Sequence, residues 1–246
     1  MNRELTAEQR SPEWFQSRLG KLTGSTFQKL MPTAKQGMND WSETQLTILR
    51  QRAAELLTGE REDNYINKFM QWGIDNELNA LRAFEDHEMT TVKECGLFLF
   101  NDDIGASPDG LLVFTEETWE TKCPASKNHL RYYLDSSTLY EDYKYQCIGE
   151  CLCVGYKKGV ICSYDPRFQD DKKLVIHRFK PSEDDFNKLT ARLLLAASIV
   201  KDMAGIEEDA IEAEFEEVQP VLEIEDREII DIEFEKIPDN VELEIL

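Results

Sequence analysis

The chain has 246 residues, 41% of them hydrophobic, and a formal net charge of −21. That length accommodates one substantial domain, or one domain with an appendage. No apolar run approaches the ~20 residues of a membrane span, and the polar start M-N-R-E-L-T-A-E-Q-R lacks the apolar core of a signal peptide, so the expected setting is the cytoplasm with no membrane partner. The acidity is unevenly spread. Residues from Ile206 to Leu246 include 17 acidic and 2 basic side chains, net −15, which leaves −6 on the first 205 residues. A strongly acidic tail on a mildly acidic body does not exclude basic patches on that body. The six cysteines, at 95, 123, 147, 151, 153 and 162, include no C-x-x-C pair and are expected to be reduced. The nearness of Cys147, Cys151, Cys153 and Cys162 leaves an iron–sulfur cluster open, although their spacing matches no familiar ligand pattern.

In chain order, Ser11-Pro12-Glu13 opens a short helix over Trp14 to Arg18, with Ser as N-cap and Pro at the first helical position; Gly20 stops it. A second short helix follows in L-T-G-S-T-F-Q-K-L-M, ended by Pro32. Its orphan amides, with Ser25 and Arg18 nearby, suit a phosphate; an ordinary capped helix explains the same residues. Ser42-x-x-Gln45 is a capping box for a helix to Thr58, with Gly59 as its stop and Leu46, Leu49, Ala53, Leu56 and Leu57 as its buried stripe. A further helix runs from about Ile66 to Glu85, and Met70, Ile74, Leu78, Leu81 and Phe84 share one face of it. Glu77 falls inside that stripe. There it must be paired, protonated or bound to a metal, unless it sits at a fraying edge of the stripe.

Thr90 to Phe100 predicts one or two strands leading to the most informative stretch, Gly105 to Pro124. Ser107-Pro108-Asp109-Gly110 is a turn, because Pro presets φ and Gly accepts positive φ. Leu111 to Phe114 and Trp119 to Lys122 then form a hairpin around the polar turn Thr115 to Thr118. Strand alternation puts Glu120 and Lys122 on one face and Thr121 on the other, with Asp109 at the mouth of the paired strand. Two carboxylates beside an ammonium suit a divalent metal and phosphodiester hydrolysis. Glu-x-Lys is also common on solvated strand faces, but the apolar neighbours here predict a buried strand pair, where an uncompensated charge is costly.

Beyond Pro124 the pattern gives a helix over Ser126 to Leu134, another over Leu139 to Val154 carrying Gln146, and strands at Val160 to Tyr164 and Leu174 to Phe179. Ser182-x-x-Asp185 caps a last helix, with Phe186, Leu189, Leu193, Val200 and Met203 facing the core and Gly205 ending it. The expected fold is an α/β sandwich, a mixed central β-sheet flanked by helices, over residues 1–205. Residues 206–246 form an acidic tail whose charge density argues for disorder until a partner is bound, although Ile230 to Phe234 alternates like a strand. There are no internal repeats and no G-x-x-x-x-G-K-[ST] loop, which argues against an ATP-driven motor.

With these residues read, the chain resembles the phage lambda-type exonucleases, the YqaJ-like viral recombinase family within the PD-(D/E)xK nucleases, over about residues 10 to 200. Five motifs stand in the family's order: E-W-F-Q-S-R-L-G-K-L-T-G-S, W-G-I-D-N-E, G-A-S-P-D-G, W-E-T-K-C-P, and the pair Y-Q-C-I-G-E with Y-D-P-R. The resemblance implies a restriction-endonuclease-like PD-(D/E)xK core. It implies Asp109, Glu120 and the Thr121 carbonyl as ligands of Mg²⁺ (or Mn²⁺), Lys122 as the catalytic lysine and Glu77 as the helix carboxylate completing the site. Arg18, Ser25 and Ser107 match the pocket for a 5′-terminal phosphate, and Gln146 matches an active-site glutamine. The implied activity is 5′→3′ digestion of double-stranded DNA ends, leaving a 3′ single strand for recombination. A single-strand annealing protein is the implied partner and a ring-shaped homotrimer the implied assembly. The acidic tail has no counterpart in the family pattern. Two other readings compete: a related nuclease trimming single-stranded or CRISPR-associated DNA ends, and a non-catalytic acidic protein that binds a DNA-processing partner. The second leaves the ordered motifs unexplained.

Overall fold

The structure, a computed structural model, describes residues 3–33, 35–61 and 68–206. The expected acidic tail lies outside the described residues except for Ile206. In chain order the elements are β1 (Arg3–Leu5), α1 (Pro12–Ser17), β2 (Leu22–Thr23), α2 (Gly24–Leu30), α3 (Glu43–Thr58), α4 (Lys68–Glu88), β3 (Leu97–Leu99), β4 (Ile104–Ala106), β5 (Gly110–Leu112), β6 (Glu117–Lys122), α5 (Ser126–Leu134), α6 (Ser137–Val154), β7 (Lys158–Tyr164), β8 (Leu174–Phe179) and α7 (Glu183–Ala204). The mixed strands divide between two four-stranded sheets, ordered β1-β3-β4-β2 and β5-β6-β7-β8. In the second sheet β6 pairs antiparallel with β5 and parallel with β7, and α5 and α6 make the crossover between β6 and β7.

Local chemistry sets the helix ends. The Ser11 hydroxyl accepts the Trp14 amide at 3.1 Å, with Pro12 at the first position of α1. Complete capping boxes start α3, through Ser42 and Gln45, and α7, through Ser182 and Asp185. Gln45 has a second role: its amide donates to the Leu30 and Met31 carbonyls at 3.2 and 2.9 Å, tying α3 to the end of α2. Arg192, fully buried on α7, donates to the carbonyls of Leu30, Met38 and Asp40 and stacks on Trp41 at 3.4 Å. One guanidinium thus ties α7 to the connection between α2 and α3 through three backbone carbonyls.

The second sheet packs on both faces. Val160 and Cys162 of β7 join Trp119, Leu112 and Phe84 in a cluster under α4, where the Phe84 and Trp119 rings lie 5.6 Å apart. Ile161 points the other way, into the larger core formed with α2, α6 and α7. Strand alternation therefore puts Cys162 across the sheet from Cys147, Cys151 and Cys153. Four cysteines divided by a sheet do not converge, which removes the geometry an iron–sulfur cluster requires.

Three expected stripes need correction. On α4 the buried line is Asn76, Ala80 and Phe84, while Met70 and Leu78 are 48% and 53% exposed. Ile74, Leu78 and Leu81 instead line a cavity. The apolar face was real, but part of it borders a cleft and not the core. Leu56 and Leu57 on α3 and Met203 on α7 are likewise exposed; the buried residues of those last turns are instead Glu55 and Ala204.

Candidate active site

The β5–β6 hairpin builds the centre of the site. Gly110 pairs with Trp119, so Asp109 enters β5 opposite Glu120. Asp109 Oδ2 accepts the Thr121 backbone N–H at 2.8 Å, which fixes one carboxylate on the neighbouring strand. Thr118, Glu120 and Lys122 point towards α6: the Thr118 hydroxyl meets Cys151 Sγ at 3.4 Å, Gln146 Nε2 donates to Glu120 Oε1 at 2.6 Å, and the Lys122 ammonium lies 4.9 Å from the Tyr143 ring centre. Lys122 also forms an ion pair with Glu120. Glu120 is 3% exposed, yet its Oε2 has no hydrogen-bond partner. In a core site that is an unsatisfied anion-bearing atom, the kind of group a cation resolves.

Electrostatics follow from burial and crowding. Burial pushes the Asp109 carboxyl well above its ordinary value, and the adjacent Glu120 charge pushes it further. Burial opposes the Lys122 charge, but the Glu120 and Asp109 carboxylates outweigh it and hold the ammonium above its ordinary value. Lys122 is therefore a cation at neutral pH, able to donate hydrogen bonds or offset developing negative charge, and not a free amine base. A divalent ion fits this donor set: Asp109 and Glu120 are hard oxygen ligands on paired strands, and one buried oxygen lacks a partner. Among the described residues no three acidic, histidine or cysteine side chains converge closely enough to form a complete cage. Glu77 shares a cavity of about 560 Å³ with Asp109 and Trp119, but its carboxylate forms an ion pair with Arg10. The alternatives for Glu77 thus resolve, in this structure, to a paired carboxylate on a cleft wall.

A second pocket of about 130 Å³ lies between α1, α2 and α3. Arg18 donates to Ser107 Oγ at 3.2 Å and to Thr23 Oγ1 at 3.0 Å, and its guanidinium sits 4.1 Å from the centre of the Trp14 ring. Both hydrogen bonds go to neutral hydroxyls. Burial, with Arg61 and Arg52 close by, lowers the Arg18 pKa to about 10, so it remains charged at neutral pH. Ser25 lines the same pocket, as do Arg52 and Arg61. The buried Glu55 carboxylate lines it too and pairs with Arg52 at 2.7 Å, which leaves Arg18 and Arg61 as the guanidiniums suited to an incoming anion. Ser107 and Asp109 are two residues apart, so this pocket and the carboxylates are joined by roughly 7 Å of chain at most.

The structure brings Asp109, Glu120, Thr121, Lys122 and Gln146 together on one strand pair and helix, and Arg18, Ser25 and Ser107 around the neighbouring pocket. Sequence reasoning missed Arg10, Trp14, Thr23, Arg52, Arg61 and Glu150. Trp14 Nε1 donates to Ser107 Oγ at 3.1 Å, a contact across 93 residues that no local pattern announces. Glu150 alone had a visible signal, since it lies one helical turn after Gln146 within Y-Q-C-I-G-E. It is buried, and that burial, reinforced by the Glu120 charge, pushes its carboxyl well above the ordinary range.

The profile of the YqaJ-like viral recombinase domain matches residues 13–157. The chain therefore belongs to the YqaJ-like viral recombinase family. The structure is similar to the alkaline exonuclease LHK-Exo from Laribacter hongkongensis, with a TM-score of 0.70 and 25% identity over 80% of this chain and 96% of that one. LHK-Exo in complex with dAMP gives a TM-score of 0.69 at the same identity and coverage. A phage-related exonuclease from Haemophilus somnus 129PT shares the fold at 14% identity, with a TM-score of 0.64 over 75% of this chain and 95% of that one. No curated protein sequence gives a significant match. Family and fold together make the chain a nuclease of the lambda exonuclease type.

Proposed function

We propose that the protein is a Mg²⁺-dependent 5′→3′ exonuclease that digests double-stranded DNA from its ends and leaves 3′ single strands for recombination. The observation that carries this reading is the placement of Asp109 opposite Glu120, with Lys122 on the same strand as Glu120 and one buried Glu120 oxygen without a hydrogen-bond partner. Asp109 and Glu120, with the Thr121 carbonyl, are the residues to hold the ion, and Glu77 joins them once released from Arg10. The ion would supply Lewis acidity for phosphodiester hydrolysis. Lys122 acts as a fixed cation that orients the attacking water and offsets charge growing on the phosphate. Gln146 keeps the Glu120 carboxylate in place. Arg18, Ser25 and Ser107 receive the terminal phosphate. The short reach from Ser107 to Asp109 supports cutting close to a 5′ end. Manganese would serve in place of magnesium.

The double-stranded end is thus the principal partner. Docking of the acidic tail to a single-strand annealing protein and assembly into a homotrimer are part of the proposal, as is work in the cytoplasm. Among the described residues no helix is long and apolar enough to cross a membrane.

Digestion of linear duplex DNA, with and without Mg²⁺, tests the reading on three substrates: 5′-phosphorylated duplex, 5′-hydroxyl duplex and single strands. The expected order of rates is phosphorylated duplex, then hydroxyl duplex, then single strand, with no digestion in chelator. A preference for single strands would favour the end-trimming alternative, and no digestion of any substrate would favour a non-catalytic protein.

A further inference from the structure

Glu150 has no part in the chemistry above, yet its surroundings are those of a working residue. It sits on α6 one turn after Gln146 and is 1% exposed, with Cys147 and Cys151 nearby. Its Oε1 accepts from Gln146 Nε2 at 2.9 Å, and its Oε2 has no hydrogen-bond partner. An aliphatic side chain would fill such a place without leaving a buried polar atom unsatisfied.

The Gln146 amide explains its presence. A primary amide has two N–H donors, and here both go to carboxylates: Glu120 Oε1 at 2.6 Å and Glu150 Oε1 at 2.9 Å. Turning the amide over would set its carbonyl oxygen against both acids, so the observed orientation is dictated by them. With Glu150 in place, the amide plane is locked and Glu120 meets a donor of fixed position. Without it, one N–H is free and the amide can rotate. The first residue of α2 closes over this arrangement: a Cβ on Gly24 would lie 3.8 Å from Gln146 Cγ and 3.9 Å from Glu150 Oε1. Ser25 of the anion pocket comes next in the chain.

We propose that Glu150 is a positioning residue that acts through Gln146 to hold Glu120 in the geometry a divalent ion requires. This rests on the reading of Asp109 and Glu120 as the ion's ligands. Calorimetric titration of the full chain with Ca²⁺ or Mn²⁺ reads the effect without turnover. Glu150→Ala should weaken binding about 10-fold, the size expected for loss of a partner one step behind a ligand. Glu150→Gln, which keeps an acceptor for the amide, should recover most of that loss. In a Gln146→Ala background, Glu150→Ala should weaken binding no further, because the intermediary is gone. Parent-like binding by Glu150→Ala, or an undiminished effect in the Gln146→Ala background, would overturn the proposal. Should the alanine variant not fold, Glu150→Met fills the space without an acceptor and carries the same two outcomes. A parent protein whose binding is untouched by Asp109→Ala would instead show that the underlying ligand assignment is wrong.

Discussion

Gly149 immediately precedes Glu150 on α6, and its lack of a side chain sets the spacing to Phe27 of α2. A Cβ built there would lie 2.2 Å from Cδ2 and 2.3 Å from Cε2 of Phe27, and 3.5 Å from Leu189 Cδ2. Phe27 is fully buried between α2, α6 and α7, so its ring has no open space into which to retreat. In Gly149→Ala the ring, or α2 with it, must move by about 1 Å in a close-packed core. Overpacking of that kind costs about 1–3 kcal/mol. Alanine returns about 1 kcal/mol of helix propensity. Because the obstructing atoms belong to a confined aromatic ring, the upper part of the range applies and the net loss is about 2 kcal/mol. For a domain of this size that lowers Tm by about 4–8 °C. Differential scanning calorimetry of the two proteins measures it directly. A Tm equal to or above the parent's would refute the claim that α2 and α6 meet at Gly149 through Phe27.

Three further outcomes follow from the site. Arg18→Ala removes a charged donor from the anion pocket, worth about 1.5–3 kcal/mol or roughly 10- to 100-fold, so digestion of 5′-phosphorylated duplex should slow towards the 5′-hydroxyl rate. An unchanged preference for phosphorylated ends would refute the pocket. The Asp109 and Glu150 carboxyls are both held above their ordinary values by burial, with the Glu120 charge adding to it. The folded state therefore binds these protons more tightly than the unfolded chain does, and the stability they contribute is complete below the ordinary carboxylate range and lost as pH rises through the raised values. In the absence of divalent ions, the Tm of Glu150→Gln relative to the parent should climb with pH; a constant difference would contradict the assignment. Truncation after Gly205 should leave duplex digestion intact, with binding more tolerant of salt, and should abolish co-purification with a single-strand annealing protein. A truncated enzyme that still carries that partner would disprove docking through the tail.

The parts of the fold legible in the sequence are those fixed by short-range chemistry. The capping boxes at Ser42 and Ser182, the left-handed glycine stops at Gly59 and Gly205 and the hairpin around Asp109 each depend on residues within a few positions of one another. Strands β1, β2 and β4 have two or three residues apiece, too few to carry a readable period, and β1 and β2 pair only with distant segments. The face of α4 misled for a different reason: hydrophobic periodicity reports an apolar surface, and a cleft wall satisfies it as well as a core does. The same limit applies to the site. Glu120 and Lys122 share a strand and could be read by alternation, and the family motifs supplied their roles. Arg10 on Glu77, Trp14 on Ser107 and the Gln146 amide on Glu120 join residues only once distant segments are packed.

The central claim is that Lys122 serves the reaction while Asp109 and Glu120 serve the ion. It is tested most directly by measuring digestion of 5′-phosphorylated linear duplex by Lys122→Ala, with Mn²⁺ binding followed by calorimetry on the same preparation. The account predicts that digestion is lost while the ion and the DNA are still bound, in contrast to Asp109→Ala, which should lose both digestion and the ion. Undiminished digestion by Lys122→Ala would contradict it.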